Sequence, residues 1–410
     1  MELKSHSDVL IIGASTAGCA TAESLRHEGF TGSITVLGNE TSAPYNRPPL
    51  SKHVLLGEWE SEKADIFADG AAERASIDLH TDVTAHALNT AERSVSTNRG
   101  DISYGTLVIA TGARARQLPA SVDPDHVALT LRTREDSMLL RERLENSRSV
   151  VVIGSGVLGS EIAAAARKKG CAVTLVGRSG ALTLGSVRDL LTQRLEQLHA
   201  QNDVELRLAE GVASIAHDGT TAHVTLTSGE QLDADTVVAA VGAIPNVEWL
   251  ESSGLTTSPA LNCDSHGQCA ENIYAVGDVA AWHDSRTGRW LPDEHQLTAL
   301  QHGQAVARHI ATGEKAEPPV PFFWSELYGV RFQAYGRFPA EAELVTTHGD
   351  RESGDFVALS MLDGLPHGVV ASNMSRDFRQ ARPAVDATLS GTPAPATTTT
   401  PSTAPPGGQS

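Results

Sequence analysis

Ser149–Glu161 reads SVVVIGSGVLGSE: an apolar run, a glycine turn and the opening of a helix. Gly154, Gly156 and Gly159 stand as G-x-G-x-x-G. In a strand–turn–helix unit the first glycine allows the tight turn. The second lets backbone approach a pyrophosphate, and the third lets the helix lie close on the strand. The helix start, at Val157 and Leu158, turns unpaired N–H groups and a partial positive charge toward the phosphates. The helix-forming run EIAAAARKKG follows, then an apolar strand, AVTLV, at Ala172–Val176. That order is half of a dinucleotide fold.

The same order occurs nearer the N-terminus. Asp8–Gly13 (DVLIIG) is a strand entering a turn, and Gly13, Ser15 and Gly18 give G-x-S-x-x-G. Serine at the middle position is small enough for a phosphate to approach, and it adds a hydroxyl donor. A helix is expected over Ala20–His27 and a strand over Ser33–Gly38. The residue after that strand is placed to accept from an adenosine ribose. The candidates are Asn39 and Glu40, and Glu40 is the stronger acceptor. Two such units predict an α/β chain with two Rossmann-like domains and two dinucleotides.

Composition narrows the class. With 410 residues and 40% hydrophobic content, the chain can form two or three domains around a sizeable core. A net charge of −18 argues against a general nucleic-acid binder, which must attract phosphates. The four cysteines, Cys19, Cys171, Cys263 and Cys269, form no C-x-x-C, so neither a metal site nor a redox-active dithiol is expected. The N-terminus lacks the apolar core of a signal peptide, and no run approaches a bilayer span. A soluble, cytoplasmic protein with no membrane partner is the expectation.

Between these landmarks, Ala43–His53 (APYNRPPLSKH) reads as a stiff extended loop, broken by Pro48 and Pro49 and carrying Arg47 and Lys52. Short strands are expected at Asp82–Ala85 and Arg93–Thr97, and a buried strand within Ser103–Gly112. Arg134–Asn146 has the 3–4 spacing of an amphipathic helix. A helix near Arg188–His199 precedes strands near Val204–Leu208, Val212–Ile215, His223–Leu226 and Thr236–Val241. NIYAVGD at Asn272–Asp278 is a further strand, followed by a helix over Leu297–Thr312. EPPVP at Glu317–Pro321 marks a boundary before strand-like stretches in Phe322–Asp386. The Thr/Pro/Ala-rich tail lacks the apolar residues to offset ordering entropy.

Taken in order, IIGASTAG, APYNRPPLSK, LVIATGARAR, LRTRED, VVVIGSGVLGSE, AVGAIPN, YAVGDVA and PFFWSE are jointly specific. The chain resembles the FAD-dependent ferredoxin reductases of oxygenase systems, the putidaredoxin and rubredoxin reductase type, which share the glutathione reductase fold. The resemblance covers about residues 8–340. It implies an FAD-binding domain in two segments, 1–117 and 248–318, and an NAD(P)H-binding domain at 118–247. A small α+β C-terminal domain at 319–388 and a disordered tail at 389–410 complete the division. It implies FAD contacts from Gly13, Ser15, Ala17, Gly18, Asn39, Arg47, Lys52, Val83, Thr111, Gly112, Arg132, Gly277 and Asp278. Trp324 matches a tryptophan lying against the flavin. Gly242, and Glu294 with His295, match elements beside the nicotinamide site. Lys52 and Glu161 match a catalytic pair near the flavin N5.

The implied reaction passes hydride from NAD(P)H to FAD and single electrons onward to a ferredoxin-type iron–sulfur protein of a cytochrome P450 or ring-hydroxylating oxygenase. The nicotinamide cofactor is NADPH or NADH. After AVTLV, Gly177-Arg178-Ser179 replaces the acid that holds a 2′-hydroxyl, and Arg178 suits a 2′-phosphate. Gly159 leans toward NADH. Asn39 replaces a frequent aspartate, and Gln296-Leu297-Thr298 departs from the family's run. Arg376, Arg379 and Arg382 form a late basic cluster, read as a solvated helical face. Two other readings remain: an NAD(P)H oxidase-like flavoprotein, and a redox-sensing interaction protein resembling apoptosis-inducing factor. Oligomeric state is open.

Overall fold

The computed structural model describes residues 3–67, 70–182, 188–258, 260–284, 288–315 and 320–390. Within the first of its two units, residues 1–329, the strand His6–Ile12 lies between two parallel neighbours. Ile34–Leu37 is on one side and Gly100–Ile109 on the other. Asp78–His80 and Ile273–Ala275 extend the parallel sheet outward, and Gln268–Ala270 adds an antiparallel edge. These strands are almost wholly apolar because a parallel sheet is covered on both faces. Leu10, Ile11, Val36, Leu107 and Val108 are fully buried. The helix Thr16–His27 packs on the helix Gln296–Thr312. A Cβ on Gly303 would come within 2.7 Å of the Ala17 carbonyl, so only glycine permits that approach.

A second parallel sheet runs in the order Val204–Leu208, Ala172–Gly177, Ser149–Ile153, Thr236–Ala239. Beside it, Val212–His217, Ala222–Leu226 and Gln231–Ala234 form an antiparallel sheet. The chain leaves the first sheet through Ala113–Ala115 and returns through Ala243–Pro245, and these segments pair as a two-stranded clasp. The second unit is antiparallel, with strands in the order Val330–Gly336, Leu365–Ser372, Asp355–Leu362, Glu343–Asp350. Its helix Ser375–Ser390 carries Arg376 and Arg379 exposed, while Arg382 lies over the Tyr335 ring at 4.1 Å.

Several expectations need correction. Pro48 and Pro49 do not stiffen an extended loop: they open the 3₁₀ turn Pro48–Ser51, which leads into the helix His53–Leu56. Proline lacks only an N–H that the first helical turn leaves unpaired in any case. Asp82 has φ +56° in a turn, and the strand begins later, at Ala85–Asn89. The clasp strands and Gln231–Ala234 are too short to show a period and were not expected. The EPPVP boundary falls largely outside the described residues, as does the tail beyond Ser390.

A histidine sits unpaired in this core. His302 stacks on Trp282 with ring centroids 3.8 Å apart, and its Nδ1 has no hydrogen-bond partner among the described residues. Burial lowers its pKa from 6.5 to about 3. Between those pH values the unfolded chain binds more protons than the folded one, so acidification destabilises the fold. The slope is about 1.4 kcal/mol per pH unit for one such group. His199, lowered to about 4 by burial, adds to the same trend. His302→Phe keeps the stack and removes one titrating group. Its thermal midpoint is expected to fall less than the parent's between pH 6.5 and 4.5, and equal falls would assign the acid sensitivity elsewhere.

Candidate functional site

The two parallel sheets repeat one piece of geometry. Ile12 pairs with Ile109, and the next residues, Gly13 and Ala110, come so close that a Cβ on Gly13 would lie 2.0 Å from the Ala110 carbonyl. Ile153 pairs with Ala239, and a Cβ on Gly154 would lie 2.1 Å from the Ala240 carbonyl. Gly13 has φ +120° and Gly154 φ +125°. A Cβ on Gly18 would sit 1.9 Å from the Gly13 carbonyl, and one on Gly159 the same distance from the Gly154 carbonyl. First and third glycines are thus demanded by backbone crowding, which a side chain cannot relieve. The middle positions, Ser15 and Gly156, are the helix N-caps, and neither makes a side-chain cap hydrogen bond.

Both turns open into a cleft of about 570 Å³. From the first turn it is lined by Gly13, Ser15 and Ala17, and from the second by Gly156, Val157 and Leu158. Asn39 and Glu40 line it after the first half-fold's second strand. Arg47, Lys52, Thr111, Gly112 and Arg132 also line it, as do Gly242, Gly277, Asp278, Glu294 and Trp324. The cleft lies where the strand order reverses, beyond the strands' carboxyl ends, where open α/β sheets hold ligands. Gly18, Gly154 and Gly159 lie behind the lining as packing positions. Val83 has its side chain in the core, and its N–H donates to the Gly38 carbonyl at 2.8 Å. Thr81 is on the lining instead. Arg178 is exposed past the end of Ala172–Gly177 and, among the described residues, makes no ion pair.

The densest polar contact is at Glu161, on the helix Val157–Lys168. The buried Glu161 carboxylate receives Lys52 Nζ at 2.7 Å, Ser51 Oγ at 2.5 Å and Ser325 Oγ at 2.7 Å. Lys52 also lies over the Trp324 ring, 5.4 Å from its centroid. The 3₁₀ turn after Pro48 places Ser51 and Lys52 side by side, and the strand Phe322–Leu327 delivers Trp324 and Ser325 together. A buried ion pair holds its geometry only when hydrogen bonds satisfy the remaining lone pairs, and the two serines do so. Neither serine was singled out in the sequence; their only signal was adjacency to Lys52 and Trp324.

A second cluster lies on the first half-fold's side. Arg47 Nη2 contacts Glu40 Oε1 at 2.7 Å, Arg47 Nη1 donates to the Arg132 carbonyl at 2.7 Å, and Tyr45 donates to Glu40. Glu40 is thereby oriented by two side chains while keeping lone pairs for a further donor. Arg132 pairs with Asp278 at 2.6 Å, while its Nε is buried with no partner among the described residues. Ser42 Oγ, also on the lining, is likewise buried without a partner. Glu294 opens onto the cleft, yet desolvation by the surrounding protein and then the Asp278 charge push its carboxyl up. Gln296 Nε2 reaches Asn46 Oδ1 at 2.6 Å, so the departure at Gln296 ties the long helix to the Arg47 loop.

Comparison with known proteins is decisive here. Residues 7–305 match the pyridine nucleotide-disulphide oxidoreductase family, and residues 322–403 match the reductase C-terminal family. The chain belongs to the pyridine nucleotide-disulphide oxidoreductase family. It is 35% identical over 383 residues to the benzene 1,2-dioxygenase system ferredoxin–NAD(+) reductase subunit of Pseudomonas putida, covering 92% of each chain. It is 34% identical to rhodocoxin reductase of Rhodococcus erythropolis, covering 91% of this chain and 88% of the relative. Among solved structures, the putidaredoxin reductase–putidaredoxin complex matches with a TM-score of 0.87 and 28% identity, covering 93% of each chain. The residues found here fit two dinucleotides: two crowded glycine turns, two uncapped helix starts and uncommitted polar atoms face one cleft.

The duplication makes the two turns separable by mutation. Gly18→Ala is expected to yield a protein that loses its flavin on purification. Gly159→Ala is expected to stay yellow but bind the nicotinamide cofactor at least tenfold more weakly, the effect of about 1.4 kcal/mol. Absorbance at the flavin band and a cofactor titration distinguish the two, and loss of flavin from both variants would contradict the separation.

Proposed function

We infer that this protein is an FAD-dependent NAD(P)H:ferredoxin oxidoreductase serving a cytochrome P450 or ring-hydroxylating oxygenase. The observation that carries the reading is the Lys52–Glu161 contact, which joins the loop of the first half-fold to the glycine-turn helix of the second. Segments 1–117 and 248–318 hold FAD, 118–247 holds the nicotinamide cofactor, and 319–388 is the C-terminal reductase domain. Bound FAD supplies the conversion between hydride and single electrons.

The chain's own residues bind, orient and set charge. The first helix start and Ser15 would hold the FAD pyrophosphate, and Glu40 with Asn39 would accept from its ribose. Asp278, held by Arg132, would accept from the flavin's polyol chain. Lys52 supplies a fixed cation where reduction brings negative charge, and such preorganised charge is worth most in a partly dehydrated site. Glu161, Ser51 and Ser325 keep that ammonium from turning to solvent. Trp324 covers the same spot. Val157 and Leu158 offer N–H groups to the second pyrophosphate, and Gly242 and Glu294 lie toward the nicotinamide. Arg178, free of acidic partners among the described residues, favours NADPH over NADH.

Neither the oxidase reading nor the interaction-protein reading gains a specific observation. The deciding assay is cytochrome c reduction by NAD(P)H with and without an added ferredoxin. Fast turnover only with ferredoxin is expected; equal turnover without it would contradict the assignment. Lys52→Met, with flavin retained, is expected to slow stopped-flow reduction by about 10²-fold, as loss of one charged stabiliser does. An unchanged rate would remove Lys52 from the chemistry. Arg178→Ala is expected to raise KM for NADPH roughly tenfold, the worth of a charge-assisted hydrogen bond, with little change for NADH. Equal effects on both cofactors would refute the preference.

A further inference from the structure

Away from the cleft, two cysteines that the dinucleotide chemistry does not use come together. Cys263 ends the strand Leu261–Cys263, and Cys269 lies within Gln268–Ala270. The residues between them form a stitched turn. The Asp264 N–H donates to the Gln268 carbonyl at 2.8 Å, and the Gly267 N–H donates to the Asp264 carbonyl at 3.2 Å. The Asp264 carboxylate accepts from the N–H groups of His266 and Gln268, at 2.8 and 2.9 Å. Cys263 and Cys269 are the next residues outward from this neck. The turn therefore brings the two cysteines back beside each other. The two sulfurs are 3.2 Å apart.

We propose that Cys263 and Cys269 form a peroxide-sensitive dithiol that closes to a disulfide across the Asp264–Gly267 turn. Cys263 is buried and Cys269 half-buried, so the oxidant reaches Cys269 first. The Cys269 sulfur, losing its proton to solvent, attacks the peroxide O–O bond, leaving a sulfenic acid and releasing water. The Cys263 sulfur then attacks the Cys269 sulfur, the S–O bond breaks, and a second water leaves with the Cys263 proton. Two thiols and one hydrogen peroxide thus give one disulfide and two waters. The Cys263 hydrogen bond and burial hold the Cys269 thiol up, so its reaction with peroxide is slower than that of an exposed thiolate. The remaining cysteines serve as internal controls. Cys19 is fully buried in the helix Thr16–His27, and Cys171 donates to the Leu144 and Ser147 carbonyls. C-x-x-C spacing gave no hint of the pair, because the turn brings together residues six positions apart.

The location gives the oxidation a structural consequence. Gln268–Ala270 pairs with Ile273–Ala275, which runs on into Gly277 and Asp278 at the cleft. A disulfide therefore tethers the edge of the sheet that carries the Asp278 carboxylate.

The test uses the full-length, flavin-loaded protein. It is treated with hydrogen peroxide, denatured, alkylated and digested without reduction by an endoproteinase that cuts before Asp264, separating the two cysteines. Mass spectrometry is expected to show the two peptides linked, with the loss of two hydrogen atoms and of two alkylatable thiols per chain. Dithiothreitol should reverse the change, and Cys19 and Cys171 should remain alkylatable. Cys263→Ser and Cys269→Ser should each abolish the linked species. Recovery of both cysteines as free thiols overturns the proposal. So does over-oxidation of Cys269 to a sulfinic acid beside an unreacted Cys263.

Discussion

One buried carboxylate holds the site together. Glu161 belongs to the glycine-turn helix of one half-fold, Lys52 to the loop of the other, and Ser325 to the strand that also carries Trp324. Their meeting within 2.7 Å makes the orientation of Lys52 depend on three separated stretches of chain. Removing one member of a buried pair leaves an uncompensated charge and costs about 3–5 kcal/mol. The same contact that supports the fold therefore fixes the ammonium's position in the cleft. On the role proposed for Lys52, stability and electron transfer rest on one set of atoms, so substitutions here are best read by rate at constant flavin content.

Around that contact the architecture is a duplication under steric constraint. In each half-fold a first glycine passes a facing carbonyl at about 2 Å from where its Cβ would be, and a third glycine passes the first glycine's carbonyl. No rotamer change relieves a backbone clash, so a side chain at any of these positions displaces the turn itself. The consequence is two helix starts aimed at one space. The clasp Ala113–Ala115 with Ala243–Pro245 marks where the chain enters and leaves the second half-fold. It explains how a single polypeptide can build one binding unit from segments far apart in sequence.

Much of this was legible before any coordinates. The α/β class, both glycine turns and the Arg134–Asn146 helix followed from motif order or spacing, whereas the approach of Lys52 to Glu161 was implied only by the family resemblance. What escaped has physical reasons. The three-residue clasp strands are shorter than a detectable period. The Pro48–Ser51 turn looked extended because two prolines usually forbid helix, but proline is tolerated in a first turn. Ser51 and Ser325 carry no sequence signal of their own, since a serine's role depends on which acceptor the fold presents. The Cys263–Cys269 approach depends on a turn that no cysteine spacing rule describes.

Hydride transfer in this protein requires that one cleft hold a flavin dinucleotide and a nicotinamide dinucleotide together. An anaerobic titration of the purified protein with NADPH, and separately with NADH, tests this most directly. One flavin per chain, bleached stoichiometrically by one equivalent of reduced cofactor, is the predicted result. A colourless protein that takes up no FAD, or a bound flavin that neither cofactor reduces, would contradict it.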